Sequence, residues 1–184
     1  MRRLLGLAYA ALIILSACGR EPTPIEPTTK ASASGAAPSA GANSKLKPPT
    51  LPAAAKRNDE TGAANFVAYW VKVANFASAS GDTSLLREVS SPECDACSDY
   101  ADLYERTHSS GGFIRGGADT LEDVTVERGS TEMFVRAHVI SAAGSFKASA
   151  SSAPKSTPAE DIWVIYATRH GSDGWEMTQI GLDK

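Results

Sequence analysis

Cys94 and Cys97, separated by two residues, form the sharpest local pattern in the sequence that could do chemistry. In one interpretation they are a redox pair, in which a thiolate of lowered pKa attacks a substrate disulfide. In the other they form a structural disulfide in an oxidising compartment. Glu93 and Asp95 are acidic neighbours that would raise a thiolate pKa, and no strand–helix–strand pattern leads into the motif. The sequence therefore favours the structural disulfide.

A ligand pocket has five candidate residues, which are Tyr69, Trp70, Tyr100, Tyr104 and His138. His138 lies in a segment of alternating polarity, so its ring either faces a cavity, where it could act as a general base, or faces solvent. An inert histidine is favoured, and aromatic residues are more typical of a core than of a pocket. No catalytic residue is assigned, and an enzyme is disfavoured without being excluded.

Metal, cofactor and nucleic-acid sites are not predicted. The histidines His108, His138 and His170 are far apart, and no second Cys or His pair completes four zinc ligands around the cysteines. The glycine pairs match neither a phosphate-binding loop nor a nucleophile elbow. The net charge of −3 has no basic block, which disfavours nucleic-acid binding.

All the candidate pocket residues except His138 must be positioned by helices in the first half of the folded region. Apolar residues recur at three-and-four spacing from about Asp59 to Ser80, which predicts a first helix capped by Gly81. A second, short helix is expected from Asp82 until Pro92. A third is expected over roughly residues 95–107, directly after the cysteine pair.

Beyond the third helix the apolar period changes to two, which is typical of strands. A short strand or turn is expected at residues 113–115, and residues 150–159 are expected to form a mobile loop. Strands are predicted over residues 121–128, 132–141, 145–149, 161–168 and 174–182. Helices followed by an antiparallel meander indicate an α+β domain with helices packed on one face of a bent sheet.

The N-terminus has the features of an export signal. A positive Met1-Arg2-Arg3 precedes an apolar run over residues 4–15 that is shorter than the roughly 20 residues needed to span a bilayer. The tetrapeptide at residues 15–18, Leu-Ser-Ala-Cys, resembles the lipobox of bacterial lipoproteins. This resemblance implies that residues 1–17 are removed and that Cys18 carries a diacylglyceryl group, which anchors the chain to the membrane.

Residues 18–58 are predicted to be a disordered tether. From Gly19 to Asn58 they contain seven prolines and no aromatic residue, so they cannot bury enough apolar surface to become ordered. A flexible coil of this length spans roughly 35 Å. The folded domain is expected to occupy residues 59–184, at the extracytoplasmic face of the cell membrane.

The order of elements resembles the cone of nuclear-transport-factor-like proteins, shared with SnoaL-type cyclases and ketosteroid isomerases. A closer resemblance is to a family of actinobacterial lipoprotein domains of unknown function. It rests on the proline-rich approach, Gly81-Asp82 and the segments at residues 61–63, 66–70 and 91–97. The family implies no activity.

Together these features predict a binding or protein-interaction module of the cell envelope. Its partners are the membrane, through Cys18, and an envelope protein, while the identity of any small-molecule ligand stays open. The alternative is a cone-pocket enzyme of isomerase or cyclase type, or a carrier of a small apolar ligand.

Overall fold

The structure is a computed structural model that describes residues 46–183. The predicted signal peptide, the lipidation site Cys18 and the tether as far as residue 45 lie outside the described residues. Across residues 46–183, no helix has both the length and the hydrophobicity required to cross a bilayer.

The helices have the bounds α1 Glu60–Ser80, α2 Ser84–Glu88 and α3 Asp95–Ser109. Helix α1 begins where predicted, because the Asp59 carboxylate accepts a hydrogen bond from the Gly62 N–H at 2.9 Å. It ends at Gly81, whose φ of 79° is the left-handed conformation that glycine adopts without strain. Helix α2 is shorter than predicted, since the chain leaves it to make a bridge between Ser90 and Met177.

The strands are all antiparallel and form two sheets. A four-stranded sheet has the order β2-β3-β6-β7, and a three-stranded sheet has the order β1-β4-β5. The bounds are β1 Phe113–Gly116, β2 Asp119–Arg128, β3 Met133–Ser141, β4 Gly144–Lys147, β5 Lys155–Thr157, β6 Glu160–Gly171 and β7 Gly174–Leu182. Strand β5 falls in the predicted mobile loop, where exposed polar residues give no alternating pattern.

The core lies between α1 and the inner face of the four-stranded sheet. Alternate residues of β3 are buried there, and α1 turns most of its apolar residues toward them. Register shifts in β2, between Glu122 and Thr125, and in β7, where Thr178 lies between the partners of Ala167 and Thr168, are irregularities that bend a sheet. The predicted fold class, helices packed on a bent antiparallel sheet, is confirmed.

The packed part of the chain starts earlier than predicted. A 3₁₀ helix, Ala53–Lys56, lies within the segment assigned to the tether, and its Ala55 is fully buried. The Trp175 indole N–H donates a hydrogen bond to the Arg57 carbonyl at 2.9 Å, which ties this segment to β7. The alanine run is too short for a helical period, so composition alone grouped it with the tether.

Candidate ligand-binding cavity

A cavity of about 310 Å³ lies between the inner face of the four-stranded sheet and helices α1 and α3. Most of its lining residues are apolar or aromatic, but polar atoms form nearly half of the lining surface. Its volume is at the lower end of the roughly 300–1,000 Å³ typical of small-molecule sites. The lining residues are Trp70, Val71, Ala74, Ala96, Tyr100, Tyr104, Asp119, Val139, Ser141, Glu160, Ile162, Val164, Tyr166, Ile180, Gly181 and Leu182.

The polar groups of the sheet are gathered at one end of the cavity. Asp119 at the start of β2 pairs with Ser141 at the end of β3, and Ser141 pairs with Glu160 at the start of β6. Because residues directly opposite each other on neighbouring strands share a face, all three side chains lie on the inner face. Strand pairing therefore brings two carboxylates and a hydroxyl into one row.

Asp119 is fixed by hydrogen bonds to both its backbone and its side chain. The Asn75 amide of α1 donates to the Asp119 carbonyl at 2.9 Å, and its oxygen accepts from the Asp119 N–H at 3.0 Å. The Ser141 hydroxyl donates to the carboxylate at 2.5 Å. Burial raises the pKa of Asp119; the Ser141 bond partly opposes this shift, and the negative charge of Glu160 adds to it.

Four aromatic residues line the cavity. The Trp70 ring centroid lies 6.4 Å from that of Tyr100 and 6.3 Å from that of Tyr166, while Tyr100 stacks on Tyr104 at 6.1 Å. The Trp70 indole N–H donates to the Ser90 hydroxyl at 2.9 Å, which orients its ring. Burial raises the pKa values of Tyr104 and Tyr166, so both phenols remain neutral hydrogen-bonding groups.

A family profile described as "Family of unknown function (DUF6318)" matches residues 43–180, which is most of the chain. The chain belongs to this family. The profile covers every strand and helix that lines the cavity, apart from the last residues of β7. Among curated protein sequences, none matches this DUF6318 member.

Solved structures show a similar fold. The intermembrane space region of chloroplast protein ARC6 is 18% identical, with a TM-score of 0.51 over 68% of this chain and 97% of that chain. An NTF2-like protein with a cystatin-like fold from Novosphingobium aromaticivorans is 16% identical, with a TM-score of 0.40 over 64% of this chain and 76% of its own. A putative dehydratase of the NTF2-like family from Streptomyces avermitilis is 17% identical, with a TM-score of 0.38 over 66% of this chain and 91% of its own. At these identities the likeness concerns the fold alone.

Three of the five predicted pocket residues, Trp70, Tyr100 and Tyr104, line the cavity of this DUF6318 domain. Tyr69 instead lines a separate groove, together with Leu85 and Trp175. His138, the fifth candidate, lies in β3. Alternate residues of β3 are buried on the inner face, and His138 falls between them, on the outer face of the sheet.

His138 is held on that outer face by its neighbours. Its ring stacks on Trp163 with centroids 4.9 Å apart, and its Nε2 contacts the Asp161 carboxylate. It does not reach the cavity, so the general-base interpretation of this residue is not supported.

Sequence reasoning missed Asp119, Ser141, Glu160 and Tyr166. Tyr166 is two residues from buried Val164 and lies on the same face of β6, so the period of two in this strand could have predicted that it points inward. Asp119 and Glu160 stand just outside the predicted strands, and only the observed pairing places them on the inner face.

Cys94 and Cys97 form a disulfide at the first turn of α3. Each cysteine is 1% exposed, and Cys94 is also the residue that caps the helix. A redox pair needs a sulfur that a substrate can reach, so this burial supports the structural interpretation. Within residues 46–183, no three His, Cys, Asp or Glu side chains are grouped to hold a metal ion.

Proposed function

We propose that this DUF6318 member is a lipid-anchored binding protein of the cell envelope, and that its cavity holds a small molecule. The observation that carries the proposal is the cavity itself, which is lined largely by apolar and aromatic residues together with convergent polar groups. Such a site is the default location for a ligand in a fold of this kind.

The envelope location rests on the sequence and is supported by one structural feature. The lipobox-like residues 15–18 and the proline-rich segment that follows argue for an anchored, exported chain. Disulfides persist in oxidising compartments, and the Cys94–Cys97 bridge fits such a compartment. Two or more acyl chains, at about 0.8 kcal/mol per buried methylene, give stable attachment.

Methyl NMR of the full-length chain in phosphatidylcholine nanodiscs tests the binding function. Titration with phenethyl alcohol, a small neutral aromatic compound, should shift the methyl signals of Val139, Val164 and Ile180 in a saturable way. The methyls of Val67 and Val73, which are buried in α1 away from the cavity lining, serve as internal references.

A pair of matched variants on α1 identifies the site. Ala74→Phe fills the cavity and should abolish the saturable shifts, because Ala74 is one of the lining residues. Ala79→Phe places the same ring on an exposed position of the same helix and should leave the shifts unchanged. Absence of any shift at the cavity methyls with neutral and charged aromatic compounds alike would rule out the proposal.

A further inference from the structure

We propose that the ligand of the cavity is a protonated amine with an apolar body, its ammonium group bound between Asp119 and Glu160 and its body against Trp70 and the tyrosines. The inference rests on the proposed binding function and specifies the chemical class of the ligand.

The first argument is charge. Asp119 and Glu160 both line the cavity, and none of the lining residues is a Lys, Arg or His. Among residues 46–183, neither carboxylate takes part in an ion pair, although seven ion pairs between arginines and carboxylates form elsewhere in this part of the chain. Asp119 is half-buried and Glu160 is exposed at this end of the cavity. The two carboxylates present negative charge that no cation of the described residues neutralises, so the cavity favours a cation over an anion.

The second argument is the aromatic wall. Trp70, Tyr100 and Tyr166 converge with ring centroids about 6.3–6.4 Å from the central indole, and Tyr104 extends the group. The faces of aromatic rings carry negative partial charge and attract cations within about 6 Å. The same rings bury an apolar body well, so they suit both ends of an organic amine.

The third argument is the unpartnered hydroxyl group of Tyr166. Tyr166 is 4% exposed and lines the cavity, and no described residue forms a hydrogen bond with its hydroxyl. Because the described residues leave this oxygen accessible at the cavity that Tyr166 lines, a ligand there can supply its partner. A primary ammonium has three N–H donors, enough for the Tyr166 oxygen and for carboxylate oxygens at the polar end.

Three compounds of similar size separate charge from shape. Phenethylamine, phenethyl alcohol and phenylacetate share the aromatic body and differ in carrying a positive, a neutral or a negative polar group. Calorimetric titration of the full-length chain in phosphatidylcholine nanodiscs, with empty nanodiscs as reference, measures each affinity. We expect the amine to bind about tenfold more tightly than the alcohol, and phenylacetate more weakly than both.

Two carboxylate variants on opposite faces of the sheet locate the effect. Asp119→Asn should abolish the preference for the amine over the alcohol. Asp161→Asn is the matched control, because Asp161 follows Glu160 in β6 and contacts His138 on the outer face. Asp161→Asn should keep the full preference for the amine. Tyr166→Phe, which removes the hydroxyl group, should weaken amine binding about threefold.

The outcomes distinguish this inference from the proposed function. Equal binding of the amine and the alcohol, tighter binding of phenylacetate, or an amine preference that survives in Asp119→Asn would overturn the cation site and leave a neutral binding cavity. Failure of all three compounds to bind would overturn both proposals.

Discussion

The carboxyl group of Asp119 is held in position by strand pairing and by hydrogen bonds from one asparagine to the Asp119 backbone. Asn75 bonds both the N–H and the carbonyl of Asp119, and Ser141 bonds its carboxylate. The backbone is thus satisfied by α1, and the side chain is turned toward the cavity and the charge of Glu160. Because burial raises the pKa of Asp119, the ionised carboxylate is less favourable in the fold than in the unfolded chain.

We predict that Asp119→Asn stabilises the ligand-free protein at neutral pH. The pKa of Asp119 is raised above its unfolded value by burial, so the native state binds the proton more strongly than the unfolded state. The wild-type protein therefore gains stability relative to the variant as pH falls through the native pKa, and the difference closes below the unfolded pKa. Thermal unfolding of both proteins across a pH series measures this difference.

The groups that face Asp119 do not change the sign of this effect. Glu160 of β6 adds negative charge, and Tyr100, Tyr104 and Tyr166 are neutral phenols throughout the acidic range.

Asp102→Asn supplies a comparison in which the pH dependence of stability has the opposite sign. The hydrogen bond from Arg87 lowers the pKa of the exposed Asp102 carboxyl. The small contribution of Asp102 to the stability of the fold is therefore present above the unfolded pKa and is lost as pH falls. If Asp119→Asn were less stable than wild type at neutral pH, burial of that carboxylate would not be unfavourable.

Residue types alone predicted part of the cavity. Trp70, Tyr100 and Tyr104 were identifiable because large aromatic side chains on helices that face a sheet are few. To locate His138, one must know which face of β3 is turned toward the core. A period of two shows that the faces alternate but does not show which one is inner until a partner strand is known. Asp119 and Glu160 required the register between strands far apart in sequence, which no local pattern contains.

At the scale of elements, the start of α3 depends on the disulfide. Cys94 precedes the helix and Cys97 lies in its first turn, so the disulfide holds the first turn together. Forming the first turn is the step of helix formation that costs the most free energy. Helix α3 also supplies Ala96, Tyr100 and Tyr104 to the cavity. The cysteine pair thus supports one wall of the site without taking part in its chemistry.

Replacing both cysteines, Cys94→Ala with Cys97→Ala, should lower the free energy of unfolding by about 2 kcal/mol, as expected for a loop of this length. Urea unfolding followed by tyrosine and tryptophan fluorescence measures the loss. Wild-type protein unfolded in the presence of dithiothreitol is the control and should show a similar decrease. A variant as stable as the oxidised wild type would show that the bridge is dispensable for the fold.

The long elements were predictable and the short ones were not. Helix α1 has 21 residues with a capping aspartate and a terminal glycine, and β3 alternates over nine residues, so each carries its own periodic signal. Strand β5 has three exposed residues and the 3₁₀ helix has four, which is too few to show a period. Both are specified by tertiary packing, through pairing with β4 and contact with α1 and β7.

At the scale of the whole molecule, the three cysteines are a bonded pair and a single residue. Cys94 and Cys97 are joined to each other, which leaves Cys18 as the remaining cysteine in the chain. An exported protein with an odd number of cysteines needs an explanation for the unpaired one. Acylation of Cys18 would account for it and would place the domain at the membrane through the proline-rich segment.

Counting thiols in the native protein tests this division of roles. We predict that denatured, unreduced protein has no thiol that iodoacetamide can alkylate, and that reduction exposes two, because a thioether-linked lipid is not released by reductant. Mass spectrometry should also find an N-terminal peptide that begins at Cys18 and carries acyl chains. In Cys18→Ser the count should stay at two while the acylated peptide disappears. One alkylated thiol before reduction, or three afterwards, would show that Cys18 is free and would remove the membrane anchor from the proposed function.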